Sequence, residues 1–342
     1  MGNSVKWGIL GNALIGRKCV MPAITRSRNG RIRALGTRRP GEAASIAHDN
    51  DIEIVYDSYE GVLEDPGVDA VYIPLPNHLH LPWTLKSLAA GKHVLCEKPL
   101  ACSAAEARQM AAAAGEHDRV LMEALMYRFH PRTQRIQSLI ADGAIGRPRL
   151  VRAAFCFSMA DETMDGRDNH RIRQPHGGGA LLDIGCYGVS AARWFLGAEP
   201  VMVQAQAIFS AASGVDVHLV GNLRFANDTL ATIEASFCSG LQQTYSVVGS
   251  EGVIDLPQDA FVPWEKDAVI YYRRESAETG DAIVVPGVDE YRLMVEHFGD
   301  QILGGVESLV PASESIRNLS ALDALARAAR SGDSVAPDII IS

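Results

Sequence analysis

The first 125 residues alternate short β-branched runs with Ala-rich stretches of helical period, and this alternation constrains the fold more than any other feature of the chain. Strands are predicted at Val5–Leu10, Arg31–Thr37, Val68–Ile73, His93–Cys96 and Val120–Met122. Helices are predicted from about Leu14 to Arg28, through Trp83 and Leu88 to a stop at Gly91, and from Ala104 to Ala114 with a stop at Gly115. Right-handed βαβ connections then place helices on both faces of a doubly wound parallel sheet. The texture changes near residue 126. A helix at Thr133–Ala141 leads into alternating segments at Arg149–Phe157, Met202–Phe209, Val215–Phe225, Leu230–Phe237 and Thr244–Val248, broken by turns such as Ala226-Asn227-Asp228. Such runs form an antiparallel or mixed sheet, built mainly from residues 146–286. A helix at Leu181–Phe195 interrupts it, and two more, near Tyr291–Leu303 and Ser313–Arg330, follow. The chain therefore reads as an α/β domain over residues 1–125 followed by an α+β domain over 126–342.

Charge and composition exclude several functions. The chain has a net charge of −9 and no dense basic run, which argues against nucleic-acid binding. No apolar stretch approaches the roughly 20 residues that cross a bilayer. The opening residues lack a signal-peptide apolar core, so the expectation is a cytoplasmic protein with no membrane partner. The 6 cysteines are scattered, without a Cys-x-x-Cys pair or zinc-ligand spacing, and read as reduced thiols.

The turn after the first strand reads Gly11-Asn12-Ala13-Leu14-Ile15-Gly16, a dinucleotide fingerprint between strand and helix. Its glycines close the turn, and the helix start presents free N–H groups to a pyrophosphate, as in a Rossmann domain. Ala13 replaces the usual middle glycine. An NAD site places a carboxylate about 20 residues further on. None lies between Gly16 and Thr37; instead the second strand ends at Thr37-Arg38-Arg39, and guanidiniums suit a 2′-phosphate. NADP(H) is the expected cofactor, with NAD(H) a possible substitute.

Three further strands deliver polar groups to the same sheet edge: Pro74-Leu75-Pro76-Asn77-His78-Leu79-His80, Cys96-Glu97-Lys98-Pro99 and Glu123 to His130. Pro74, Leu75, Asn77, His80, Glu97 and Lys98 are the candidate cofactor contacts there. The Lys98 ammonium would hold a hydroxyl or a developing alkoxide. His78 and His80 lack a third ligand at metal spacing, so no metal is expected. In the second domain, Gly177-Gly178-Gly179 opens the helix carrying Asp183 and Tyr187, four residues apart on one face. A phenol near an ammonium ionises more readily, which makes Tyr187 a proton acceptor for an alcohol or a donor to a ketone. Tyr127, Arg128 and His130, with Arg171 and His176 of the polar segment Met159–His176, are the candidate substrate contacts, and that segment reads either as a lid or as an ordinary polar loop beside the glycine run.

Together, Gly11–Gly16, Glu97-Lys98-Pro99 and the Gly-Gly-Gly-Ala-Leu-Leu-Asp-Ile-Gly-x-Tyr helix resemble the Gfo/Idh/MocA oxidoreductases, the family of glucose-fructose oxidoreductase and inositol dehydrogenase. The resemblance covers nearly the whole chain. It implies a Rossmann domain plus a C-terminal α+β domain whose open, mostly antiparallel sheet serves substrate binding and homo-oligomer contacts, in a dimer or tetramer. It further implies that Lys98, before a cis Pro99, is the signature lysine, with Asp183 its partner and Tyr187 the acid/base. Tyrosine at the last position, with Met126-Tyr127-Arg128-Phe129-His130-Pro131, resembles the branch of NADP-dependent xylose dehydrogenase, dimeric dihydrodiol dehydrogenase and glucose-fructose oxidoreductase. The expected activity is hydride transfer between nicotinamide and a CH–OH or C=O group of a sugar-like polyol. Reduction of a keto-sugar or nucleotide-linked sugar, and oxidation of a trans-dihydrodiol, are the alternatives within the enzyme class. A non-catalytic NADP sensor is the alternative outside it.

Overall fold

The computed structural model describes residues 4–160, 169–275, 277 and 279–338. Residues 161–168, within the segment read as a lid or a polar loop, lie outside the described residues. The chain divides into two compact units: Met1–Ala101, Ala105–Phe129 and Asp289–Ser315 form one, and Cys102–Ala104, His130–Val288 and Ile316–Ser342 the other.

The first unit holds β1 (Val5–Leu10), β2 (Gly30–Gly36), β3 (Ile54–Tyr56), β4 (Ala70–Ile73), β5 (His93–Cys96) and β6 (Leu121–Glu123) in the order β3-β2-β1-β4-β5-β6. All five pairings are parallel, as expected from the buried β-branched runs. The strand order reverses between β1 and β4, the kind of switch point at whose carboxyl ends open α/β sheets bind ligands. β3 and the helices at Pro40–Asp49 and Tyr59–Glu64 were not anticipated, because a strand of 3 residues is too short to show a period.

The helix Glu290–Gly304 buries Tyr291, Met294, Val295 and Phe298, an apolar stripe at helical spacing. The Phe298 ring lies 5.2 Å from that of Trp7 in β1. The Asn29 amide donates to the Glu296 carbonyl at 2.7 Å, and Arg26 pairs with Asp289 at 2.6 Å. A division at residue 125 therefore misses this return of the chain to the first unit. The stripe in the sequence shows that one face is buried, not which sheet covers it.

The second unit is built on an eight-stranded sheet. Its strands are β7 (Pro148–Ser158), β8 (Pro200–Phe209), β9 (Asp216–Phe225), β10 (Leu230–Ser236), β11 (Cys238–Gly249), β12 (Gly252–Leu256), β13 (Ala268–Arg274) and β14 (Asp281–Val285), ordered β14-β13-β12-β11-β7-β10-β9-β8. Only β7 and β10 pair in parallel. One sheet face packs the helix Cys186–Leu196, closely enough that a Cβ on Gly188 would stand 3.1 Å from Ile233 and 3.4 Å from Ala153. The opposite face stays open and exposes Ile208, Val220, Leu230, Tyr271 and Val284.

Candidate active site

At the carboxyl end of β1, Gly11 takes φ +103°, a left-handed conformation that disfavours a side chain. Its N–H donates to the Gly36 carbonyl at 2.8 Å, and a Cβ there would press on Leu75 at 3.1 Å and the Tyr59 hydroxyl at 3.2 Å. Asn12, Ala13 and Ile15 are half-buried, whereas Leu14 is exposed. A turn wound i to i+5, Gly16–Val20, then leads into the short helix Met21–Arg26. A Cβ on Gly16 would meet Tyr72 and Met21 at an ordinary 3.5 Å, so of the two fingerprint glycines Gly11 is the sterically required one. The half-buried turn, with its main chain at the start of a helical segment, fits a pyrophosphate. At the end of β2, buried Thr37 accepts the Arg39 N–H on Oγ1 at 3.1 Å, a side-chain turn that fixes the backbone where exposed Arg38 and Arg39 emerge.

The Lys98 loop follows β5, and its Lys98–Pro99 peptide is cis. It is held from three sides. Buried Tyr72 donates its phenol to Glu97 Oε1 at 2.6 Å, and Glu97 Oε2 accepts the Lys98 N–H at 3.2 Å. The His80 ring nitrogens lie 2.9 Å from the Pro99 carbonyl and 2.7 Å from the Leu75 carbonyl. Glu123, buried at the end of β6, accepts the Leu100 N–H at 2.9 Å. Burial pushes the Glu123 carboxyl up, against the pull of Ser315, the Leu100 amide and the Lys98 ammonium. Burial likewise drives His80 down to about 4, so at neutral pH the ring carries one N–H and donates to one carbonyl at a time.

In the second unit a turn wound i to i+5, Leu181–Gly185, carries Asp183 and runs directly into the helix of Tyr187. Turns of this kind inside helices mark functional positions more often than regular ones do. The Tyr187 ring is buried between Phe155 and Phe261, at centroid distances of 5.3 and 5.4 Å. Arg171 Nε donates to Asp183 Oδ2 at 2.8 Å, so the guanidinium expected on the substrate is the partner of the carboxylate.

Several expected contacts take other roles. His80 and Glu97 bond groups of the chain itself and brace the loop at residues 97–100. Tyr127 is fully buried. Arg128, 4% exposed, donates to the Leu309 carbonyl and lies 3.7 Å from Glu314, which ties its turn into the unit. His130 is fully buried and caps the helix Pro131–Ala141, accepting the Arg132 N–H at 3.0 Å; burial and Arg132 push it down to about 4. Pro74 is buried, while Leu75, Asn77 and His176 are half-buried. The sequence does not single out Tyr72, Phe155, Phe261 or Asp216. Glu123, placed at the sheet edge by the sequence, serves there as the buried acceptor for the Leu100 N–H. Among the described residues no group of three His, Cys, Asp or Glu side chains forms a metal-ion site.

Residues 5–125 match the model of the oxidoreductase family with an NAD-binding Rossmann fold, and residues 133–255 match the GFO/IDH/MocA C-terminal domain. The chain is 36% identical over 335 residues to D-xylose 1-dehydrogenase (NADP(+)) 2 of Haloferax volcanii, covering 97% of this chain and 99% of that one. It is 34% identical over 263 residues to the trans-1,2-dihydrobenzene-1,2-diol dehydrogenase of Danio rerio, covering 76% of each. Among solved structures, a 3-ketoreductase from Actinomadura kijaniata in complex with NADP and TDP-benzene superposes with a TM-score of 0.87 at 29% identity, covering 95% of this chain and 98% of that one. The chain belongs to the Gfo/Idh/MocA family of oxidoreductases.

Proposed function

We propose that this protein is an NADP(H)-dependent oxidoreductase acting on a CH–OH or C=O group of a sugar or sugar-like polyol, in the manner of a xylose dehydrogenase. The observation that carries the reading is the clamp on Lys98: Tyr72 through Glu97, His80 and Glu123 converge on four consecutive residues, 97–100, which a solvated loop would not need. The main chain of Gly11–Gly16 would hold the pyrophosphate of NADP(H), Arg38 and Arg39 its 2′-phosphate, and Pro74, Leu75 and Asn77 its nicotinamide end. Bound nicotinamide supplies hydride acceptance from, or donation to, the carbon that bears the oxygen. The chain's own part is the proton and the oxygen. In oxidation the Tyr187 phenolate takes the hydroxyl proton as the C–H electron pair leaves and the C=O bond forms; reduction reverses each transfer. Lys98 is proposed to supply a hydrogen bond to the reacting oxygen. Asp183, oriented by Arg171, steadies the reacting hydroxyl, and His176 lies close enough in sequence to the glycine run to contact the sugar.

The likeness to the 3-ketoreductase favours a second reading, reduction of a nucleotide-linked keto-sugar. Both are tested by following reduced nicotinamide with aldoses, keto-sugars, nucleotide-linked keto-sugars and trans-dihydrodiols. Turnover of free aldoses supports the first reading, and turnover confined to nucleotide-linked sugars the second. Tight NADP(H) binding without turnover of any of them would favour a sensor. The open sheet face supports a homo-oligomer, since exposed apolar side chains on five of its strands form a surface that water leaves unsatisfied. Ile208→Asp with Val284→Asp lowers the mass seen by light scattering if that face is the interface. A cytoplasmic setting fits the free cysteines, and no helix among the described residues is long and apolar enough to cross a membrane.

A further inference from the structure

The helix that presents Asp183 and Tyr187 begins without a cap of its own. Its opening N–H groups need acceptors, yet Gly177-Gly178-Gly179 precedes it and Ala180 supplies no capping side chain. The acceptor comes from another element. Asp216, the first residue of β9, receives the Leu181 N–H on Oδ2 at 2.7 Å. The Ala180 N–H also bonds this carboxylate, and Arg330 of the last helix faces it with a positive charge.

Gly179 is shaped around the same group. It takes φ +127°, and a Cβ there would fall 2.2 Å from Asp216 Oδ1. Gly178 makes room on the other side, where a Cβ would meet the Arg171 carbonyl at 2.5 Å. The Gly179 N–H donates to that carbonyl at 2.8 Å, and the Asp183 N–H donates to the Gly179 carbonyl at 3.1 Å. The glycine run thus joins the carboxylate behind the helix to the Arg171 turn in front of it.

We infer that Asp216 is a positioning residue for the reaction: it caps the Leu181–Gly185 turn from β9 and so sets the orientation of Asp183 and Tyr187. The inference rests on the proposed roles of those two residues. A turn wound i to i+5 has poorer packing than a regular one, so it holds its geometry only where neighbours fix it. Loss of the carboxylate frees the first N–H groups and lets the turn rewind, which moves Asp183 and Tyr187 relative to the bound sugar while leaving the nucleotide-binding residues of the first unit untouched.

The test compares Asp216→Ala, Asp216→Asn and Gly179→Ala with wild type and with Tyr187→Phe, scoring kcat, KM, NADP affinity by fluorescence titration and melting temperature. Asp216→Ala and Gly179→Ala are expected to lower kcat about 10-fold or more, since small misplacements of reacting groups carry penalties of that size. NADP affinity is expected to stay within about twofold, and Asp216→Asn, which keeps an acceptor oxygen, to recover most of kcat. If Asp216→Ala does not fold, Gly179→Ala and Asp216→Asn carry the same comparison. Wild-type kcat in folded Asp216→Ala or Gly179→Ala overturns the inference, as does an Asp216→Asn no more active than Asp216→Ala. Wild-type turnover by Tyr187→Phe instead overturns the reading of the site and is a separate result.

Discussion

Tyr72→Phe removes one oxygen and nothing else. Tyr72 is fully buried, and its phenol donates at 2.6 Å to Glu97, whose other oxygen holds the Lys98 N–H. Burial first, and the Glu97 charge second, hold the phenol well above its ordinary pKa, so at neutral pH it keeps its proton and serves as the donor. Phenylalanine fills the same volume, so no cavity contributes. The lost hydrogen bond is to a charged acceptor in a buried place, which costs about 2 kcal/mol. Expressed wholly as misorientation of Lys98, that energy is about a 30-fold loss of rate. The expected result is a fall of about 2 kcal/mol in unfolding free energy by urea titration, a loss in kcat/KM between about 3-fold and 30-fold, and NADP affinity within about twofold. Unchanged stability and unchanged kcat/KM would refute the idea that Glu97 is a brace held in place by Tyr72.

His130→Asn keeps a helix cap but no longer titrates, so KM for the sugar should stay at the wild-type value; a large rise would restore His130 as a substrate contact. His130 falls from 6.5 to about 4 on folding, so its stabilising share is present above pH 6.5 and is lost as pH drops towards 4. Wild type should therefore lose about 3 kcal/mol more than His130→Asn over that window, measured by urea unfolding at each pH. Asp216 has the opposite sign. Burial, against its amide bonds, raises it from 3.8 to about 6, so its share of stability is complete below pH 3.8 and disappears as pH rises through 6. Relative to Asp216→Asn, wild type should lose about 3 kcal/mol between those pH values, and parallel curves would show that the carboxyl is not held up by burial. Arg38→Ala should weaken NADP far more than NAD in fluorescence titrations; equal loss for both would place the 2′-phosphate elsewhere.

The parts legible in the sequence are those governed by local periodicity and local geometry. The parallel sheet, the Gly11 turn, the strand-end position of Lys98 and the shared helix of Asp183 and Tyr187 all follow from runs of fewer than about 15 residues. What the sequence hid is tertiary. The stripe of Tyr291, Met294, Val295 and Phe298 looks the same whichever sheet it covers, so the sequence does not place it on the first unit. His80, Arg128 and His130 share residue types with ligand contacts, and only the carbonyls and amides around them show that they satisfy the fold's own polar groups. The Asp216 cap joins residues 35 positions apart, so no spacing rule finds it. The run of three glycines was legible as a site of close approach, but what approaches Gly179 is a carboxylate of the chain itself.

The central claim of the proposed function is that the Lys98 amine and the Tyr187 phenol both serve proton and oxygen handling at the reacting CH–OH or C=O group. A double-mutant cycle in kcat measures this directly, using Lys98→Met, Tyr187→Phe and the combined variant with NADP and the best sugar of the panel. Each single change is expected to lower kcat by a factor on the order of 10² or more with NADP affinity intact, and the double variant to be little worse than either single, because groups acting as a unit are not additive. Wild-type kcat in either single variant, or losses that multiply fully in the double, would contradict it.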